Sequence, residues 1–528
     1  MGEFRFRVPS EWNLDTYHGN AIHVIGLDGI PWPCRISVSE ASNSEQDNAK
    51  PENAKPDNAK PDNAKPDNCE SGDSDPESTA VLEKTITISR NRDESGKLYL
   101  IYPMDRRGEM LICTGTLPVR ETRYELLTEL ARGTLNRLRN QISIWEEGGL
   151  YIDNGVHAYV QLATRMLSKS ILATENKMRD DAARQSIEAS MDGIFDLSNS
   201  FGAQISKFRR EHEQMSNFWM ANSVGSGDQF EPSLASKDFD LLEINLNANN
   251  VELEEKISGG REELLGKRVI VGPWLDASIG GMNSSLINVD DFGARKEQLL
   301  IECRKQLSRI PRTTSLIHVV SRLNGIGHRH LSYPQQLSVT VDMLRLIEES
   351  QTDLPTLISF DFPWAERLAG AVGGVHPLQI ADSLMRQGLP ISFLGLDINL
   401  DYWPNGSMIR DPLQWIDLVD VWAQLGLPLV ICLRMPTGPG AKLTPEDSHH
   451  RPVNSTSSNL TDENRITFLK TVMPMMIARP SVHGMIWQQW SDTDDSRFPN
   501  SGLVDEHGAP KAIQEVMKHI RSSIDGDA

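Results

Sequence analysis

The sequence predicts an α/β protein whose C-terminal part is a barrel of parallel strands. From Asn217 onward, short apolar runs alternate with amphipathic segments of helical period, the order expected of strands joined by crossover helices. The runs are FWMANSVG, FDLLEINLN, RVIVGPWL, SLIHVVSRLN, TLISFDFPW, ISFLGLDINL, LPLVICLRMP and VHGMIWQQW. Eight buried strands over roughly 250 residues or more indicate a (β/α)8 barrel.

An open, doubly wound parallel sheet is the alternative architecture for such a pattern. That fold usually carries a Gly-x-Gly-x-x-Gly turn after its first strand, where it binds a dinucleotide. The sequence lacks this turn. The strand count therefore favours the barrel, and no cofactor is predicted.

Residues 1–120 are predicted to form an antiparallel, β-sandwich-like domain. Strand-like alternation is seen in AIHVIGLDG, PWPCRISVS, KTITISR, KLYLIYP and EMLICTGTL. A low-complexity insertion at 40–78 interrupts it, with four copies of Asn-Ala-Lys-Pro followed by Asp or Glu between Asn48 and Asp67. Such a charged, proline-rich repeat cannot bury apolar area, so we expect an extended loop within one domain.

Residues 121–215 have the period of helices and are predicted to connect the β-domain to the barrel. Leucines recur at helical spacing from Leu126 to Leu138, and a second helical stretch runs from about His157 to Glu213. The barrel domain then spans residues 216–528.

Charge and targeting features narrow the classes of partner. The formal net charge is −20, which disfavours nucleic acid and anionic membranes because both are bound by clustered Lys and Arg. The sequence shows neither an apolar leader after Met1 nor a run of eighteen apolar residues. We therefore expect a cytoplasmic protein.

Metal binding is not predicted. The five cysteines are scattered without Cys-x-x-Cys spacing, as in proteins with reduced thiols. Two histidine pairs, His328 with His330 and His449 with His450, lack an evident third ligand.

The C-terminal segment GMIWQQWSDTDDSRFPNSGLVDEHGAPKAIQEV carries a family resemblance. It is similar to the eighth strand and closing helix of family 10 glycoside hydrolases, the endo-1,4-β-xylanases. The matching residues are Trp487, Asp492, Gly502, Leu503, Asp505, Pro510, Lys511 and Ala512. The resemblance covers roughly residues 217–520 and implies a carbohydrate-active barrel that takes a polysaccharide or oligosaccharide.

The catalytic glutamates of that family have no counterpart here. At the family's acid/base position on the fourth strand stands Arg322, and at the nucleophile position on the seventh stands Leu433. Retaining glycosidases need two carboxyl groups about 5–5.5 Å apart. Arginine does not give up its proton at neutral pH, and leucine can neither attack nor hold charge. Whether the chain is an enzyme is therefore open.

Three other carboxylates are candidate catalytic groups: Asp397, Asp361 and Glu243. Each lies in an apolar run, where burial raises the pKa of a carboxyl group and suits it to act as a general acid. The alternative is a structural network in which Asp361 and Asp397 pair with Arg322 or Arg434.

Candidate substrate-binding residues follow the predicted strand ends. Aromatic rings offer flat platforms for sugars, and amide or guanidinium groups bind hydroxyls. The candidates are Arg322, Asn324, Trp364, Asn399, Tyr402, Trp403, Trp487, Gln488 and Trp490. The alternative for each tryptophan is packing in the core.

Two functional hypotheses follow. The first is a carbohydrate-active protein that binds a glycan at the C-terminal mouth of the barrel and hydrolyses only through the non-standard carboxylates. The second is a catalytically inactive barrel that serves as a binding or scaffold protein.

Overall fold

The structure is a computed structural model that describes most, but not all, of the chain. The described residues are 2–9, 11–12, 22–41, 83–212, 218–225, 239–244, 268–277, 291–325, 331–369, 374–403, 406–438, 461–492 and 498–525. The Asn-Ala-Lys-Pro repeat and the two histidine pairs lie outside them. The predictions made for those segments therefore remain predictions.

Eight parallel strands close into a barrel, as the sequence predicts. They are β9 (Trp219–Val224), β10 (Leu241–Ile244), β11 (Arg268–Val271), β13 (Thr314–Leu323), β14 (Thr356–Asp361), β15 (Phe393–Asn399), β16 (Leu429–Arg434) and β17 (Val482–Trp487). Each pairs with the next, β17 returns to β9, and β11 pairs directly with β13. A two-residue strand, β12 (Leu275–Asp276), adds to β13 at the mouth. The α/β fold prediction is confirmed.

Side chains alternate between the lumen of the barrel and the helices outside it. One cluster contains only strand residues and marks the lumen: Ala221, Leu241, Ile270, Leu316, Leu357, Val430, Cys432 and Ile486. Neighbouring residues on the same strands, such as Leu433 and Trp487, belong to the larger cluster that includes the helices. Residues two positions beyond the lumen cluster therefore face the C-terminal mouth.

The helices that flank the barrel follow the strands in chain order. They are α4 (Phe292–Leu307), α5 (Tyr333–Glu349), α6 (Pro377–Met385), α7 (Pro412–Ala423), α8 (Asp462–Ala478) and α9 (Ala512–Asp525). Their starts agree with sequence signals, because α5, α6 and α7 each carry proline in the first turn. None of the described helices combines the length and apolar character that a bilayer crossing requires.

Two four-stranded sheets form the N-terminal β-domain. Their strands are β1 (Gly2–Val8), β2 (Ile22–Gly26), β3 (Pro31–Trp32), β4 (Arg35–Ala41), β5 (Glu83–Arg90), β6 (Gly96–Met104), β7 (Gly108–Cys113) and β8 (Tyr124–Glu125). The orders are β4-β5-β1-β8 and β3-β2-β6-β7. Pairing is antiparallel except for the short parallel contact of β1 with β8. Phe6 of one sheet and Leu100 of the other share one core.

The connector consists of α1 (Leu126–Glu147), α2 (Asn154–Leu172) and α3 (Asn176–Glu211). The predicted single stretch from His157 to Glu213 is thus two helices, and the chain turns at extended Ala173. The turn lets α2 fold back onto α3, where Ser186 Oγ donates to the Ala163 carbonyl at 2.9 Å. Helix periodicity alone does not show such a break, because both helices keep the same period.

Glycine at position 133 allows α1 to approach β7 closely. A Cβ atom there would lie 2.3 Å from the Cys113 carbonyl oxygen and 2.5 Å from the Thr114 carbonyl carbon, both backbone atoms. Helix propensity alone favours alanine over glycine by up to about 1 kcal/mol. We expect the overlap to dominate, so Gly133→Ala should reduce the free energy of unfolding by about 1–3 kcal/mol.

Thermal unfolding of Gly133→Ala beside Asn140→Ala, an exposed position on the same helix, tests this contact. The control should match or slightly exceed the wild type. A Gly133→Ala protein that melts as high as the control would contradict the close approach.

Candidate functional site

The three candidate catalytic carboxylates are brought together at the mouth end of the barrel lumen. Glu243, Asp361 and Asp397 lie on β10, β14 and β15, and all three are buried. Glu243 follows Leu241 of the lumen cluster by two residues, and Asp361 follows Leu357 by four, so both face inward. Asp361 and Asp397 are register partners on adjacent strands.

A chain of hydrogen bonds links Glu243 to Asp397 across the lumen. His318 Nδ1 lies 2.6 Å from Glu243 Oε1, and its Nε2 lies 3.1 Å from Ser359 Oγ. The Ser359 hydroxyl donates to Asp397 Oδ2 at 2.5 Å. Because each of these residues is buried, the polar chain satisfies groups that would be costly to leave unpaired.

The number of protons in this series of hydrogen bonds determines which groups donate to Ser359 and which accept from it. A serine hydroxyl has one proton, and here it goes to Asp397, so His318 Nε2 must be the donor to Ser359. In this arrangement His318 does not accept the serine proton, as a general base would. The order Glu243, His318, Ser359 resembles a nucleophilic triad, but the hydrogen bond between His318 and Ser359 runs in the opposite direction.

Asp397 accepts two further hydrogen bonds. The Arg322 backbone N–H donates to Oδ2 at 2.8 Å, and Gln488 Nε2 donates to Oδ1 at 2.5 Å. Arg322 has a φ of 52°, in the left-handed region that costs a non-glycine residue free energy. This conformation turns its N–H towards the carboxylate.

The arginines pair differently from the ion-pair network that the sequence left open. The Arg322 guanidinium forms its salt bridge with Asp276 of β12, whereas Asp397 receives only its backbone N–H. Asp361 accepts from Asn399 Nδ2 at 3.3 Å. Asp397 is thus held by neutral donors.

Arg434, at the end of β16, binds two amide side chains. Its Nη1 donates to Asn399 Oδ1 at 3.2 Å and to Gln488 Oε1 at 2.8 Å. Its guanidinium also lies 5.1 Å from the centre of the Phe498 ring, and that of Arg322 lies 5.3 Å from it. The mouth thus contains a compact group of guanidinium and amide side chains.

The strand pleat shows which residues at the end of β16 face the lumen. Leu433 packs among the residues that contact the helices, whereas Cys432 belongs to the lumen cluster. The inward position nearest the mouth on β16 is therefore Arg434, which pairs in register with Asn399. Burial, with Asp397 and Glu243 adding to it, holds the pKa of Cys432 well above its ordinary value, so the thiol is not a ready nucleophile.

The candidate aromatic residues do not line one exposed rim. Tyr402, Trp403, Trp487 and Trp490 are buried, and Trp403 packs with Leu111 of the β-domain. Trp364 is half-buried and lies against the Arg410 guanidinium at 4.9 Å. As arranged here, these rings stabilise the packing around the barrel.

Asn324, the remaining candidate, lies just beyond β13. Its backbone N–H donates to Gln336 Oε1 at 2.9 Å, and its carbonyl accepts from Arg367 at 3.3 Å. His318, Ser359 and Asp276 were not among the residues predicted from the sequence. The first two lie two positions after Leu316 and Leu357 of the lumen cluster, but the sequence alone does not show which residues of a strand face the lumen.

No protein-family model matches the sequence, and neither does any curated protein. Among solved structures, the chain is similar to xylanase 10B from Thermotoga petrophila in complex with xylobiose, at 12% identity and a TM-score of 0.42, over 60% of this chain and 96% of that one. Native xylanase 10B from Thermotoga maritima is 12% identical with a TM-score of 0.42, and the match covers 60% of this chain and 99% of that one. A thermostable mutant of a xylanase from Cellvibrio japonicus is 10% identical with a TM-score of 0.42, and the match covers 59% of this chain and 99% of that one.

Proposed function

We propose that this chain is a glycan-binding barrel protein that does not hydrolyse its ligand through a pair of carboxylates. The observation that carries the proposal is the Arg434 group at the mouth, in which a half-buried guanidinium is held by the side-chain oxygens of Asn399 and Gln488. Amide and guanidinium groups placed at the end of a barrel are suited to bind hydroxyl groups. A neutral oligosaccharide is the ligand class that we propose.

Hydrolysis is disfavoured by the way in which the carboxylates are held. Asp397, Asp361 and Glu243 remain the candidate catalytic groups, but Asp397 accepts three hydrogen bonds and Glu243 binds His318. Carboxylate oxygens engaged in this way inside the protein are already occupied, whereas double displacement needs one carboxyl group to protonate the leaving group and another to attack the sugar.

Hydrolysis and binding assays on the purified full chain test this proposal. With xylan and a panel of aryl glycosides, we expect no turnover by the wild type or by Asp397→Asn. With neutral xylo-, cello- and manno-oligosaccharides, we expect binding that Arg434→Ala weakens about tenfold, since a lost charged hydrogen bond contributes about 1.4 kcal/mol or more. Arg139→Ala, at an exposed helix position, is the matched control.

Two results would overturn the proposal. Turnover by the wild type that disappears in Asp397→Asn would establish a glycosidase with a relocated carboxylate. Absence of binding across the whole panel would favour an inactive barrel that serves as a scaffold, the second candidate function. The burial of Trp487 and Trp490 supports that second candidate.

A further inference from the structure

A cleft of about 380 Å³ separates the β-domain from the outer face of the barrel. One wall comes from the turn after β2 and the start of β6. The other comes from the loop after β14, His376 and one face of α7. The residues of α7 that line it are Gln414, Asp417, Leu418, Val421 and Trp422, which share a helix face. Small-molecule sites usually have volumes of about 300–1,000 Å³, so the cleft is large enough for a small ligand.

Apolar side chains remain exposed on both walls of this cleft. Leu27 on the β-domain is 71% exposed, and Val421 on α7 is 42% exposed. Half-buried Trp364 contributes to the same surface. Exposed apolar groups in a concave site gain free energy when a ligand covers them, at about 25 cal/mol per Å².

Charged side chains of opposite sign lie on the two facing walls of the cleft. Exposed Lys97 belongs to the β-domain and Asp417 to α7. The Asp417 side chain is 66% exposed, and its nearest cation, Arg137, is 3.7 Å away. The surrounding cleft walls nevertheless raise the pKa of Asp417 above its ordinary value.

His376 adds a hydrogen-bond donor. Its Nδ1 accepts from the Leu378 backbone N–H at 3.1 Å, and burial lowers its pKa to about 4. The ring is therefore neutral at physiological pH and carries its proton on Nε2.

We infer that this cleft binds a neutral, polyhydroxylated ring, such as a monosaccharide unit, between the β-domain and α7. A charged ligand would be attracted by Lys97 or Asp417 and repelled by the other. A hydroxyl group both donates and accepts, so it can donate to Asp417 and accept from Lys97 on the facing wall or from His376 beside α7. The C–H face of the ring would cover Leu27 and Val421. The ligand class is that of the proposed function, but the site is separate from the barrel mouth.

Titration of the full chain with methyl β-D-glucopyranoside, xylobiose and D-glucuronate, followed by saturation-transfer NMR and calorimetry, tests this inference. We expect at least one neutral probe to bind. Val421→Trp, which fills the cleft, should weaken that binding tenfold or more, and Asp417→Asn about threefold. Arg434→Gln removes the proposed mouth site, so binding that persists in this variant and is lost in Val421→Trp belongs to the cleft. Arg139→Ala, at an exposed helix position, should leave binding at both sites unchanged.

Three results would overturn the inference. The first is that neither neutral probe binds the wild type. The second is that Val421→Trp binds the probe as tightly as the wild type does. The third is that D-glucuronate binds more tightly than both neutral probes. Far-ultraviolet circular dichroism and thermal unfolding confirm that the variants are folded. If only Arg434→Gln abolishes binding, the mouth and not the cleft is the site.

Discussion

Asp397→Ala is expected to lower the free energy of unfolding by about 3–5 kcal/mol. The substitution removes the acceptor of the Ser359 hydroxyl, the Arg322 backbone N–H and the Gln488 amide. A buried donor left without a partner costs about 1–3 kcal/mol, and Ser359 can recover part of this loss by donating to His318 instead. Urea unfolding followed by circular dichroism measures the change.

Two further variants make this result specific. Asp353→Ala removes an exposed aspartate from the outer surface and should change stability by less than about 0.5 kcal/mol. Asp397→Asn keeps one acceptor oxygen and should lie between the other two variants. If Asp397→Ala were as stable as Asp353→Ala, the carboxylate would not be engaged by its three donors. The argument against a catalytic role for Asp397 would then no longer hold.

The barrel could be predicted because its strands are apolar on both faces. A strand covered by neighbours on two sides appears in the sequence as a continuous apolar run, and eight such runs in order define the architecture. Because both faces are apolar, the sequence does not show which residues of a strand point into the lumen. Leu433 and Arg434 are adjacent in LPLVICLRMP, and only the paired strands show which of them faces the lumen.

The polar layer of the lumen was only partly predictable. Asp397 was identified because a carboxylate is rare in an apolar run. His318 was not, because a polar residue between Ile317 and Val319 resembles an ordinary core position. Its role depends on Glu243 and Ser359, which are 75 and 41 residues away in the chain. The residues around His318 in the sequence do not indicate these distant partners.

The aromatic residues show a different limit of sequence reasoning. Position at a strand end predicts nearness to the mouth, but it does not determine which neighbours cover the ring. Trp403 is covered by Leu111 of the β-domain, and Trp487 donates to the Ser501 carbonyl at 2.8 Å on the helix side. Both contacts depend on packing between distant parts of the chain.

Arg137→Met is expected to destabilise the contact between the connector and the barrel by about 3–5 kcal/mol. Arg137 on α1 donates to Asp411 through Nη1 at 2.5 Å and Nη2 at 3.0 Å. Asp411 is fully buried and also caps α7, accepting from the Leu413 and Gln414 backbone N–H groups. Methionine keeps the length of the side chain but leaves the buried carboxylate without its cation.

The melting temperature of Arg137→Met measures this loss, with Arg139→Met as the matched control on the same helix. Arg139 is exposed, so its removal changes the net charge equally without uncovering a buried partner. We expect a decrease of roughly 5–10 °C for Arg137→Met and little change for the control. Equal melting temperatures would mean that the cap hydrogen bonds alone stabilise Asp411. Because this ion pair joins α1 to α7, the same helix that forms one wall of the cleft, its loss should also weaken ligand binding there.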